Sequence, residues 1–199
     1  MPKPNRGVGR PRNSDIDLAI VCTTRELLAE RGYAGLTVDA VAARAGIGKA
    51  AIYRRYKTKQ EMIFAATVHD LWEQPPPDGG TLRADLLALT RTIAAQLCGA
   101  PADVLAGLLA DIYADKALGT RFAETFLESE RKAVTAVLER AVTRGELASR
   151  PEASTVHALL LGPILAWVLI LDGDRGEMPE FTRTVAEATA ATLLLRPTS

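Results

Sequence analysis

Between positions 49 and 59 the sequence places Lys49, Arg54, Arg55, Lys57 and Lys59 around two aromatic hydroxyls, Tyr53 and Tyr56. Cationic side chains at this density suit phosphate recognition, because each contact neutralises a backbone charge and releases a condensed counterion. On a short helix they would fit the major groove, with the first helical residues nearest the base edges. The wider charge distribution points the same way. Residues 1–60 hold 12 Lys or Arg against 5 Asp or Glu, and residues 61–199 hold 12 against 19, so a formal net charge of zero hides a basic end and an acidic one. The competing reading is a solvated basic face on an ordinary helix pair.

The elements that must position these cations are two short helices crossing steeply. Over 38–52 the chain reads VDAVAARAGIGKAAI. Ala42 is small enough for close approach, Gly46 permits a positive φ at the turn, and Val41, Ala45, Ile47 and Ile52 supply the apolar contact. This is a helix-turn-helix spacing, with Arg44 on the first helix joining the basic surface of the second. Thr37 is placed to cap the first helix, and Thr58 with Glu61 forms a capping box for the helix that follows. Upstream, Ser14 and Asp17 read as the cap of a helix whose apolar face is Ile16, Ile20, Thr23 and Leu27 and which Gly32 ends.

The stretch TVDAVAARAGIGKAAIYRRYKTKQEMI, together with RGYAGLT leading into it, resembles the TetR (tetracycline-repressor) family of transcriptional regulators over about residues 15–64. The resemblance implies that Thr37 and Lys59 contact phosphates, that Gly48 opens a recognition helix, and that Lys49, Ala50, Ala51 and Tyr53 lie at the groove. It also implies a ligand-responsive repressor that binds double-stranded DNA at a palindromic operator as a homodimer. Two positions depart from the family pattern, which often has a hydroxyl residue where Gly48 stands and Thr where Ala51 stands. Two polar contacts that those residues could make are therefore missing, although the Ala51 methyl can meet a thymine methyl.

Apolar residues recur three or four apart nearly everywhere, so an all-α fold of about nine helices is expected. Three divisions follow: a flexible basic arm at 1–13, a helix-turn-helix domain at 14–60, and a ligand-binding and dimerisation domain at 61–199. The last includes a linking helix at 61–74, halted by Pro75, Pro76 and Pro77. In the arm, Gly9, Arg10, Pro11 and Arg12 resemble a minor-groove A·T hook, with nonspecific phosphate attraction as the alternative role for Arg10 and Arg12.

Beyond the linker, helices are expected at 82–97, 102–116, 119–144, 152–171 and 179–195, forming an antiparallel bundle. The family's effector pocket, suited to an apolar or amphipathic small molecule, would draw on Trp72, Leu89, Ile93, Leu105, Leu109, Ile112, Tyr113, Phe122 and Phe126. The last two helices offer Leu160, Pro163, Ile164, Trp167, Val185, Ala188, Thr189 and Leu193 to a second subunit, with burial within one chain as the alternative.

Other chemistries find little support. His69 beside Asp70 and the isolated His157 lack a nucleophile or metal-ligand spacing, no P-loop or dinucleotide fingerprint occurs, and Cys22 and Cys98 suggest neither zinc nor a disulfide. Cys98 reads either as a reactive thiol or as a buried structural cysteine. No cofactor, metal, membrane span or secretory signal is expected, which fits a cytoplasmic protein. A helical small-molecule-binding protein or enzyme whose helix-turn-helix does not bind DNA is the alternative function.

Overall fold

Helix α1 (Arg12–Gly35) begins two residues before the expected cap at Ser14 and is interrupted at Gly32, whose φ of 64° and ψ of −175° fall in a region open essentially only to glycine. The helical turn resumes and runs to Gly35, so Gly32 bends the element rather than ending it. These coordinates are a computed structural model that describes residues 12–68, 77–171 and 173–195; the side chains of residues 12–14, 68, 125 and 126 also lie outside the description. Arg10, His69 and Trp72 therefore fall outside the described residues, as does the end of the linking helix.

The chain divides into two compact units, Met1–Ala66 and Thr67–Ser199. The first holds α1, α2 (Val38–Ala45), α3 (Lys49–Tyr53) and all but the last two residues of α4 (Lys59–Val68). Its core joins Ile20, Leu27 and Leu28 of α1 to Val41 and Ile52 and to Met62, Ile63 and Ala66 of α4, all buried. The expected capping box at α4 is present with its return arm one residue early. The Glu61 amide donates to Thr58 Oγ1 at 3.1 Å, while the Glu61 carboxylate accepts from the Lys57 amide at 2.7 Å.

The second unit holds α5 (Leu82–Gly99), α6 (Ala102–Ala114), α7 (Lys116–Phe122), a π-helical turn (Ala123–Leu127), α8 (Glu128–Thr143), α9 (Ala153–Leu169) and α10 (Met178–Leu194). Asp115 is the signal that sequence reading missed. It ends α6 and caps α7 by accepting from the Ala117 and Leu118 amides at 2.9 and 3.1 Å, so the new helix starts three residues before Gly119. The π turn then divides the single helix expected over 119–144, which makes ten helices among the described residues.

Helix α5 is the spine of this unit and packs against α8, α9 and α10. Leu86, Leu89 and Ile93 meet Val134, Val137 and Leu138 of α8, Val156, Leu160 and Ile164 of α9, and Val185, Ala190 and Leu193 of α10. Fully burying each large apolar side chain contributes roughly 1.5–3 kcal/mol. At the start of α5 a polar knot replaces this packing. Fully buried Asp85 accepts from the Gly79 amide at 2.7 Å and from Arg144 at 3.0 Å. Arg144 also reaches Asp78 and Glu146, and Glu146 accepts the otherwise orphaned Leu82 amide.

A second polar contact crosses the apolar core. Nε2 of His157 on α9 lies 2.9 Å from Oε2 of Glu130 on α8, both residues buried. Removing one member of such a pair strands the other. His157→Leu is expected to cost about 3 kcal/mol in urea unfolding, and the double variant Glu130→Met/His157→Leu to recover most of it. A loss in the double variant equal to the sum of the separate Glu130→Met and His157→Leu losses would show that the pair is not coupled.

Candidate nucleic-acid interface

The first unit builds one polar face around α2 and α3. Thr37, extended at φ −131° and ψ 151°, caps α2 as expected, its hydroxyl oxygen accepting from the Ala40 amide at 3.1 Å. The hydroxyl proton stays free to donate outward. Val38, Val41 and Ala42 bury the inner side of α2. Gly46 then closes the helix at φ 66° and ψ 29°, and the Gly46 and Ile47 amides both turn back to the Ala42 carbonyl, a left-handed cap in which a Cβ is strained. The chain is thereby sent into α3 within three residues.

Helix α3 buries only Ile52, which is 1% exposed; Ala45 and Ile47, expected to share that contact, are half-buried. Gly48, Lys49, Ala50, Tyr53, Arg54 and Lys57 are exposed, and Ala51, Arg55 and Tyr56 are half-buried. Gly48 has an ordinary φ of −66° and brings no capping side chain, so the amides that open α3 lack the hydroxyl acceptor a Ser or Thr would provide.

The structure sorts the basic residues by what already holds them. Lys49 pairs with Asp39 across the α2–α3 turn at 2.6 Å, both groups exposed. Arg44 pairs with Glu30 of α1 at 2.6 Å, a hydrogen bond that lowers the Glu30 carboxyl pKa and raises that of the Arg44 guanidinium. Arg55 turns inward to Asp17 and to the Ala51 carbonyl. Lys59 donates to the carbonyls of Tyr33 and Leu36 at 3.2 Å each and sits 4.7 Å from the centre of the Tyr33 ring. Arg12 lies at the start of α1. Among the described residues, Arg54 and Lys57 have no carboxylate partner and form a free positive edge just after α3.

Sequence reading missed the acidic half of this arrangement. Asp17, Glu30 and Asp39 are separated from their partners by 38, 14 and 10 residues, and no local periodicity connects them.

In the second unit the described residues expected to line a pocket fall in different surroundings. Leu89, Ile93 and Leu105 belong to the packed core. Leu109, Ile112 and Tyr113 instead line an open groove of about 730 Å³ with Lys116, Gly119 and Thr120, and Tyr113 is almost fully exposed. Phe122 is half-buried and Phe126 lies in the π turn, its side chain outside the description.

The surface expected for a second subunit needs a similar correction. Leu160, Ile164, Val185, Thr189 and Leu193 are buried within the single chain, because α5 occupies that side of both helices. Trp167 stacks on Phe181 at 4.2 Å, also within the chain. Of the eight, Ala188 is exposed and Pro163 half-buried.

A capped helix, a tight left-handed turn and a short basic helix, followed by a separate helical bundle, define a DNA-binding transcriptional regulator of the helix-turn-helix class. Comparison with known proteins supports this. Residues 20–66 match the model of bacterial regulatory proteins of the tetR family, and residues 76–189 match the tetracyclin repressor-like C-terminal domain. The chain belongs to the tetR family.

An uncharacterized HTH-type transcriptional regulator of Mycobacterium tuberculosis is 33% identical over 156 residues, covering 78% of this chain and 75% of that protein. The Bacillus subtilis HTH-type regulator YdeS is 30% identical, covering 83% and 84%. The TetR family regulator SCO0332 shares the fold at a TM-score of 0.71 and 22% identity, covering 92% of this chain and all of that one.

The sorting of cations separates groups that hold the unit together from groups free to bind. Arg54→Ala and Lys57→Ala are each expected to lower the slope of log affinity against log salt for duplex DNA by about one, with little change in stability. Lys59→Ala is expected in addition to destabilise the unit by about 1–2 kcal/mol through the two carbonyls it leaves bare. Thermal melts and salt titrations on the same variants separate the two effects, and a reversed pattern would overturn the sorting.

Proposed function

We propose that this protein is a ligand-responsive transcriptional repressor that binds a palindromic operator as a homodimer. The observation that carries the reading is α3, a short helix with one buried residue, whose Lys49, Ala50 and Tyr53, with Arg54 directly after it, are exposed. In this reading Lys49, Ala50, Ala51 and Tyr53 meet base edges and Gly48 lets the backbone come close. Thr37, Arg54, Lys57 and the remaining donor of Lys59 hold phosphates. Arg44, Arg55 and Tyr56 brace the helix from behind, while Arg10 and Arg12 add charge. A relative in Mycobacteroides abscessus, 29% identical over 141 residues, is a DNA-binding transcriptional repressor, which favours repression.

Dimerisation falls to the outward strip of the last two helices. Leu159, Gly162, Pro163 and Ala166 on α9 recur at helical spacing, as do Thr184, Ala188 and Ala191 on α10 and its cap residue Leu195. The small residues among them, Gly162, Ala166, Ala188 and Ala191, let two copies of the helix pair approach closely. A C2 pair places two recognition helices one DNA turn apart, ~34–36 Å.

The effector is an apolar or amphipathic molecule taken up by the second unit. Supporting this, a Bacillus subtilis FadR crystallised with stearoyl-CoA has the same fold, at a TM-score of 0.61. Effector binding favours dimers whose recognition helices are wrongly spaced for successive grooves, and operator affinity falls by the difference in binding energy between the two states. The protein acts in the cytoplasm without catalysing a reaction; no single helix among the described residues is long and apolar enough to cross a bilayer.

A gel shift with DNA upstream of the protein's own coding region tests this reading. Binding is expected at two inverted half-sites and should fall by at least about tenfold when ~5 bp, half a helical turn, is inserted between them. Undiminished binding to the offset duplex would refute two-groove recognition.

A further inference from the structure

We infer that the second unit carries an anion-binding groove between α5 and the start of α10 that accepts a short-chain amphipathic carboxylate. Arg91, Ala94, Ala95 and Cys98 form one stripe of α5, and Arg175, Met178, Pro179 and Thr182 face it from the loop and first turn of α10. The two stripes enclose about 300 Å³, at the small end of the range for ligand sites. The gap exists because α5 presents alanines where larger side chains would close it.

The floor is apolar in effect. Ala94 and Met178 are buried, and the buried Thr182 hydroxyl is already committed to the Pro179 carbonyl at 2.9 Å. The mouth is cationic. Arg91 and Arg175 are both exposed, and among the described residues neither has a carboxylate partner. Elsewhere in this unit Arg131, Arg140, Arg144 and Arg183 each pair with Asp or Glu. Two unclaimed guanidinium groups over one apolar cleft, within residues 61–199 whose net charge is negative, fit an anionic head with a short tail. The planar fork of arginine matches a carboxylate, and the cleft takes the hydrocarbon out of water. The site is separate from the α6–α7 groove and stands whether or not the effector reading above holds.

Cys98 makes the test local. Its half-buried thiol forms part of the groove wall, and exposed Cys22 on α1 serves as an internal control. The full-length protein is treated with iodoacetamide, an uncharged reagent, and the rate at each cysteine is read by peptide mass spectrometry in octanoate, octan-1-ol or buffer. Octanoate is expected to slow Cys98 about threefold at twice its Kd, the factor 1 + [L]/Kd, and to leave Cys22 unchanged. Octan-1-ol at equal concentration should not, and the protection should vanish in Arg91→Gln/Arg175→Gln, whose altered side chains are at the surface. An unchanged Cys98 rate, equal protection by the alcohol, protection that survives in the double variant, or parallel slowing of Cys22 would each overturn the proposal.

Discussion

A five-residue helix cannot hold itself together in water, since nucleation fixes several residues for each hydrogen bond gained and isolated helices much shorter than ~12 residues are marginal. Helix α3 therefore exists only because Ile52 is buried against its neighbours in the first unit. That one apolar anchor sets the helix's orientation. Every outward residue from Gly48 to Arg54 is placed by it, together with the left-handed turn at Gly46 that limits how the chain can leave α2.

The charges around this anchor are arranged as opposed pairs. Asp39, Glu30 and Asp17 claim Lys49, Arg44 and Arg55, so much of the positive charge apparent in the sequence is compensated in the free protein. The Lys49–Asp39 pair is the informative one, being exposed at the opening of α3. Exposed ion pairs are weak, about 0–1 kcal/mol, so Lys49 can be released to a phosphate or base at small cost. Arg55, with Asp17 on one side and its own helix's carbonyl on the other, is far less available. The result is a surface whose phosphate affinity rests on fewer groups than a count of lysines and arginines suggests.

Much of this was legible from residue types because the signals were local. Thr37 as a cap, Gly46 as a left-handed turn, Val41 and Ile52 as the buried contact and Thr58 with Glu61 as a capping box all act within a few positions, and the structure contains each of them. The all-α class and the family were readable for the same reason. Tertiary pairing was not. Nothing at 38 residues' separation marks Asp17 for Arg55, and apolar periodicity alone could not say which side of α9 and α10 faces α5. Most of the residues expected to meet a second subunit were thus the ones used up inside the bundle, Pro163 and Ala188 excepted. Helix boundaries failed where a single side chain decided them, as at Asp115, or where the hydrogen-bond register slipped into a π turn after Phe122.

The two units divide the work along a chemical boundary: a basic, tightly turned reader and an acidic, alanine-rich bundle. The account stands or falls on whether the anchored helix is the surface that meets DNA. An amide NMR titration of the isotopically labelled protein with a duplex bearing its operator measures that directly. Residues 48–57 are predicted to show the largest shift changes, centred on Lys49, Tyr53 and Arg54, and to be less perturbed by a scrambled duplex. Changes confined to the bundle, with residues 48–57 unmoved at saturating operator, would contradict it.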